Sequence, residues 1–238
     1  LLNLSIKNIE KIYICAGISK TFISDKFKGK KQIEDNKVII KNIISFSKKN
    51  KVKQIVFLSS SAVYSNFNKY PLSENQKIKP KTYLGISKKM NESQLKNLSK
   101  QSDIKVLILR IFTVYGTGMR KDQFINQILR KLKRNKKVVL WNPETFRNFI
   151  FIKDLIRIID ILSNKNKKKF NIINLGTNKS LKNKDIFEIL KKNLKINKKL
   201  FLSTNYNNFD HFVDLSKLKK EIKNFKFTKI NDGLKSIQ

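Results

Sequence analysis

Two short stretches, FLSSSAVYS at Phe57–Ser65 and TYLGISKK at Thr82–Lys89, collect residue types that move protons: hydroxyls, a phenol and an ammonium. Ser60 and Ser61 end an apolar run. If that run is a strand, their hydroxyls emerge at its carboxyl end, the edge where parallel α/β sheets bind ligands. Lys88 is a cation that lowers the pKa of any phenol held beside it. The nearest phenol is Tyr83, five residues before Lys88. On a helix turning about 100° per residue, positions four apart differ by roughly 40° and positions five apart by roughly 140°. Leu84 therefore shares the face of Lys88, and a leucine has no proton to exchange. Tyr83 reaches Ser60 only if the turn just after Pro80 is irregular.

The surrounding pattern supplies the elements that position these groups. Lys11–Gly17 reads as a buried strand and Asn36–Lys49 as a helix with apolar residues at helical spacing. Val52–Ser61 is a second strand, Tyr83–Lys100 a helix, and Ile104–Phe112 a continuously apolar strand of the kind covered on both sheet faces. Strand, helix, strand, helix, strand in that order predicts a parallel sheet with right-handed crossovers. Beyond Gly118 the pattern loosens. Phe124–Lys133 reads as a helix, Lys137–Trp141 as a strand, and a helix starts at about Lys153. Phe170–Leu175 is a strand, and Leu181–Leu194 is amphipathic. The lysine-rich Asn164–Lys169 reads as a solvated loop.

Composition bounds the function. Lys and Arg number 53 against 17 acidic residues, a formal charge of +36. Only six of the basic residues are arginines (110, 120, 130, 134, 147 and 157), whereas nucleic-acid readers lean on arginine for bidentate contacts. The lysines are spread along the chain among Asn, Ile and Phe, which reads as compositional drift rather than a basic groove. Polyanions should bind non-specifically and be released by salt. The single cysteine, Cys15, excludes an internal disulfide framework, fits a reducing cytoplasm and is read as a small core residue. The single histidine, His211, argues against a zinc or iron site and is read as a surface or loop residue. No apolar run approaches the ~18 residues of a membrane span, and no signal peptide opens the chain. The first residue is Leu rather than Met, so an incomplete amino terminus is expected. No G-x-G-x-x-G occurs, so a dinucleotide-binding reading places the glycine turn upstream.

The ordered series IYICAG, NKVIIKNIISFSKKNKVKQIVFLSSSAVYS, YLGISKK, LRIFTVYGTG, FRNFIFIKDL and NIINLGTNKS resembles the NAD-dependent epimerase/dehydratase family. These are extended short-chain dehydrogenase/reductases that act on nucleotide sugars. The resemblance runs from about Ile12 to Leu194, with a weaker echo at Val213–Ile222. It implies a Rossmann-type parallel sheet, lacking its first strands and glycine loop, with a smaller C-terminal α+β substrate domain. Residues 1–118 would be the remainder of the dinucleotide domain and 119–238 mainly the substrate region, with 147–175 returning to the Rossmann sheet.

The resemblance also implies roles. Ser60, with Ser61 beside it, would hydrogen-bond a substrate hydroxyl. Lys88 would tune the acid–base group and contact the nicotinamide ribose. Asn36, at the head of its helix, would either steady the cofactor site or cap the helix. Thr113 stands where many relatives carry an Asn near the sugar phosphate, and Arg147 matches the arginine that grips the nucleotide diphosphate. Three departures stand out. Leu84 occupies the place of the family tyrosine. The later Arg-x-Gly-Asp element is missing, with STNYNNFDHF in its place. Ser61-Ala62 stands where dehydratases carry Asp-Glu. The expected partners are NAD or NADP, with its binding loop outside this chain, and a nucleotide sugar. No metal, membrane or specific nucleic acid is expected, and a homodimer is left open. Three readings compete: an enzyme impaired at Leu84, a non-catalytic Rossmann-fold binding protein, and a basic nucleic-acid-binding domain.

Overall fold

The computed structural model describes residues 8–20, 23–197, 200–203 and 209–237. The chain divides into two compact units. One runs to Ile111 and is joined by Ile161–Leu175; the other comprises Phe112–Asp160 and the chain from Gly176 onward.

In the first unit, β1 (Lys11–Ile14), β2 (Gln54–Ser60), β3 (Lys105–Ile111) and β7 (Phe170–Leu175) form an all-parallel sheet in the order β1-β2-β3-β7. Register places Ser60 beside Ile111, and Ile111 beside Leu175, at the carboxyl ends of three strands. Ile55, Val56, Phe57 and Val106–Leu109 are fully buried, which is why these segments read as continuous apolar runs. Helices α1 (Lys26–Lys49) and α2 (Tyr83–Gln101) connect the strands and share a core with them that includes Ile40, Ile43, Phe57, Leu95, Leu98 and Ile108. Asp25 caps α1 by accepting from the backbone N–H of Phe27 and Lys28, and Thr82 caps α2 by accepting from Gly85.

The helix α1 begins ten residues before the expected start at Asn36. Its first turns, KFKGKKQIED, carry almost no apolar periodicity, so the hydrophobic pattern could not reveal them. Asn36 is thus mid-helix, and its expected alternative role as a helix cap is corrected: Asp25 is the cap.

In the second unit, β4 (Thr113–Tyr115) pairs parallel with β6 (Phe146–Phe151), and β6 pairs antiparallel with β8 (Ser180–Lys182). A separate parallel pair joins β5 (Val138–Trp141) to β9 (Leu200–Ser203). Helices α3 (Phe124–Lys133) and α5 (Asn183–Asn193) face a core of Tyr115, Ile128, Leu132, Phe149, Phe187 and Leu190. Helix α4 (Ile152–Lys165) follows β6 directly, and two short helices, α6 (Ser216–Glu221) and α7 (Ile230–Lys235), end the chain. Asp154 anchors the last segment by accepting from Thr228 N at 2.7 Å and from its hydroxyl at 3.0 Å. Residues 161–175 belong with the first unit and carry β7, and among the described residues β6 pairs with β4 and β8.

Candidate functional site

Ser60 is the last residue of β2, and its Oγ accepts from Ala62 N at 3.1 Å. It caps the 3₁₀ turn Ser61–Val63 and keeps its hydroxyl hydrogen for donation. Ser61 is buried at the start of that turn, where its carbonyl accepts from Tyr64 N. Gly85 on α2 lies against the same turn so closely that a Cβ would overlap the Ala62 carbonyl. The glycine is what lets the start of α2 approach the end of β2.

That approach brings in Lys88. Its Nζ donates to the Leu58 carbonyl at 2.7 Å, two residues before Ser60 on the same strand, and sits 4.7 Å from the Phe57 ring centroid. Two residues of strand are about 7 Å, so amine and hydroxyl occupy the same end of β2. Burial lowers the Lys88 pKa to about 8, against the opposing pull of Glu92 and Cys15.

Tyr83 is not brought to this pair. The helix is regular from its first residue, and the Tyr83 ring lies on Gly29 of α1, where a Cβ would strike it. Among the described residues its phenol makes no hydrogen bond to Ser60 or Lys88. Leu84, on the face of Lys88, is buried.

Asn36 is better connected than a cap would be. Its amide nitrogen donates to the Ile18 carbonyl at 3.0 Å and to Ser87 Oγ at 2.9 Å, and its oxygen accepts from Ile18 N at 2.8 Å. It ties the segment after β1 to the residue preceding Lys88. Cys15 begins that segment and is exposed, not a core residue: β1 ends at Ile14, so the thiol lies past the strand at the open edge of the sheet.

Beneath the edge runs a buried polar network that the sequence reading missed. Arg110 on β3 grips Glu92 of α2 through Nε–Oε1 at 3.2 Å and Nη2–Oε2 at 2.8 Å. Ser59 Oγ donates to the same carboxylate at 2.6 Å. Arg110 Nη1 donates to Tyr64 Oη at 3.0 Å, and the Tyr64 hydroxyl donates to Asn174 Oδ1 at 2.8 Å. Burial raises the Tyr64 pKa, partly opposed by Arg110. The available signal was an arginine inside an otherwise apolar strand, since a buried charge requires a partner. Glu92, one helical turn past Lys88, was the acid to look for.

In the second unit, Thr113 opens β4 beside Phe149, and Arg147 projects from β6. Arg147 Nη1 donates to the Phe209 carbonyl and to His211 Nε2, both at 2.9 Å. His211 lies in a loop as expected and is half-buried, with Nδ1 shut off from solvent; burial and the Arg147 charge hold its pKa well below the ordinary value. Of the stretch STNYNNFDHF, residues 204–208 lie outside the described residues. Among the described residues no cluster of His, Cys, Asp or Glu could hold a metal, and no helix is long and apolar enough to cross a membrane.

A parallel sheet crossed by helices, with a hydroxyl and a half-buried amine at its carboxyl edge, defines a Rossmann-like α/β protein. Residues 3–176 match the NAD dependent epimerase/dehydratase family, and the chain belongs to that family. An uncharacterized protein of Methanocaldococcus jannaschii is 30% identical over 209 residues, covering 85% of this chain and 63% of the relative. A putative UDP-glucose 4-epimerase of the same organism is 30% identical, covering 63% of this chain and 50% of the relative. The chain thus spans between half and two thirds of the length of these relatives. Among solved structures, a UDP-glucuronic acid 4-epimerase from Bacillus cereus in complex with UDP-glucuronic acid and NAD superposes with a TM-score of 0.87. It is 22% identical, with 96% of this chain and 74% of that one covered.

Proposed function

We propose that this chain belongs to an enzyme that uses NAD, or NADP, to oxidise a nucleotide-sugar hydroxyl transiently, as an epimerase or a close reductase. The observation that carries the reading is Lys88: a half-buried amine with a lowered pKa, anchored to the strand that ends in Ser60. Its place at the carboxyl edge, beside the exposed segment that Asn36 fixes, fits a nicotinamide ribose. Bound there, the cofactor would accept and return a hydride. Lys88 and the segment held by Asn36 would hold it, the first unit being the dinucleotide domain. Ser60 would donate to the substrate hydroxyl with Ser61 shaping the turn. In the second unit, Arg147 would pair with the diphosphate and Thr113 would donate to a phosphate oxygen. Ser61-Ala62, in place of an acidic pair, disfavours a dehydratase. A cytoplasmic setting is compatible with the single cysteine, Cys15. A homodimer is compatible with the fold.

Leu84 weakens the proton-transfer step, because loss of a general acid–base typically costs ~10²–10⁴ in rate. That substitution, together with Tyr83 packed on Gly29, favours a second reading in which the protein binds cofactor and sugar nucleotide without turning them over. The full-length protein and its Leu84→Tyr variant should be assayed for NAD reduction with UDP-sugars. A large gain in the variant identifies Leu84 as the defect, and activity in the parent discards the binding-only reading. Absence of NAD and UDP binding in both sinks the proposal. Binding to nucleic acid that persists at physiological salt and above would favour the basic-domain reading instead.

A further inference from the structure

An arginine guanidinium carries five N–H donors and no acceptor. The 2.9 Å contact between Arg147 Nη1 and His211 Nε2 therefore fixes the ring's chemistry: Nε2 accepts and is bare. The proton of the neutral imidazole then sits on Nδ1, which is shut off from solvent and meets no hydrogen-bond partner among the described residues. An enclosed donor left unmet is a cost a fold normally avoids. Here it accompanies the presentation of a bare nitrogen to Arg147.

The ring cannot turn away readily. Phe112 and Phe209 meet it edge-on, with centroids 5.4 and 5.6 Å away. Its backbone is stitched to the neighbouring strands: His211 N donates to the Phe146 carbonyl at 3.0 Å, and Ser180 Oγ donates to the His211 carbonyl at 2.6 Å. Asp210 adds a third tie by accepting from Phe146 N at 2.9 Å. The imidazole is thus a fixed acceptor facing a long, rotamer-rich cation.

We propose that His211 is the positioning residue for Arg147, holding its guanidinium plane in the orientation that a bidentate grip on the phosphate of a nucleoside diphosphate requires. The inference rests on Arg147 being the phosphate ligand, as argued above. A planar fork binds phosphate well only when its orientation is set beforehand. A side-chain amide in the glutamine position can replace Nε2 as acceptor; phenylalanine keeps the ring's bulk and removes the nitrogen. Asparagine places its amide nearer Nδ1 and removes the acceptor that Nε2 presents to Arg147 Nη1.

The test is calorimetric titration of the 238-residue chain with UDP, alongside thermal melting without ligand. Removing a hydrogen bond to a charged group should weaken UDP about tenfold or more in His211→Phe and His211→Asn. His211→Gln should stay within about threefold of the parent. If His211→Phe binds UDP like the parent, or if the Gln variant loses as much as the Phe and Asn variants, the inference is overturned. Should the Phe variant fail to fold, the contrast between Gln and Asn decides the matter in the same way. Arg147→Ala separates the two layers. Loss of UDP binding there with none in the His211 variants refutes only the positioning role, while retained binding refutes the phosphate role of Arg147 and the inference with it.

Discussion

The ring of Tyr83 on α2 lies against Gly29 on α1, in space that only a residue without a side chain leaves open. The pair places the one phenol near Lys88 in the sequence on the helix–helix side. Alanine at position 29 would ordinarily stabilise a helix interior by about 0.5–1 kcal/mol. Here it must displace an aromatic ring, and overpacking costs about 1–3 kcal/mol. Gly29→Ala should therefore destabilise in urea unfolding, and the same change should turn stabilising in a Tyr83→Ala background. Two additive single effects would show that the ring is not held there.

Lys88 makes stability depend on pH with a definite sign. Its folded pKa is about 8 against an ordinary 10.5, so between those values the unfolded chain binds the extra proton. Unfolding free energy should therefore rise with pH across that window and gain nothing from this group below it. The measurement is the difference between parent and Lys88→Met from pH 7 to 10.5, which removes the shared contribution of the other lysines. A flat difference would mean that the amine is not buried in the charged-averse setting described.

The Arg110–Glu92 pair is nearly inaccessible, with 4% and 6% of the two side chains exposed. Removing one partner strands a buried charge, which typically costs about 3–5 kcal/mol. Glu92→Ala should lose about that much in denaturant unfolding. Replacing both residues by apolar ones of similar volume should recover most of the loss.

Asn36 makes three hydrogen bonds that join the segment at Ile18 to Ser87. Asn36→Leu should cost about 1–3 kcal/mol by leaving the Ile18 amide and carbonyl without their partner. If that segment borders the cofactor, NAD affinity in the full-length protein should fall further than the stability change alone explains. Equal NAD affinity in parent and variant would detach Asn36 from the cofactor site.

Much was legible from the chain because burial on both faces of a parallel sheet leaves an unmistakable mark. The runs around Ile55 and Leu107 could hardly be anything but inner strands, and Phe57–Ser65 marked the carboxyl end of β2. Helix spacing alone separated Leu84 from Tyr83 on α2, and the regular helix bears that geometry out. Other features were hidden for physical reasons. The first turns of α1 are polar and lysine-rich, so periodicity missed them, although Asp25 was a readable cap. Cys15 looked like core because cysteine usually is, but one residue past a strand end is enough to expose it.

The order of strands and helices, the serine-ended strand and the leucine at position 84 were determined by the sequence itself, because residue periodicity and type are local properties. Tertiary structure alone decided which groups meet. Arg147 and His211 are 64 positions apart, as their hydrogen bond records, and Arg110 finds Glu92 on another element. Such partners are chosen by strand register and helix approach, down to the absent side chain of Gly85 that lets α2 close on Ala62. No local pattern encodes a distance that depends on how separate segments pack.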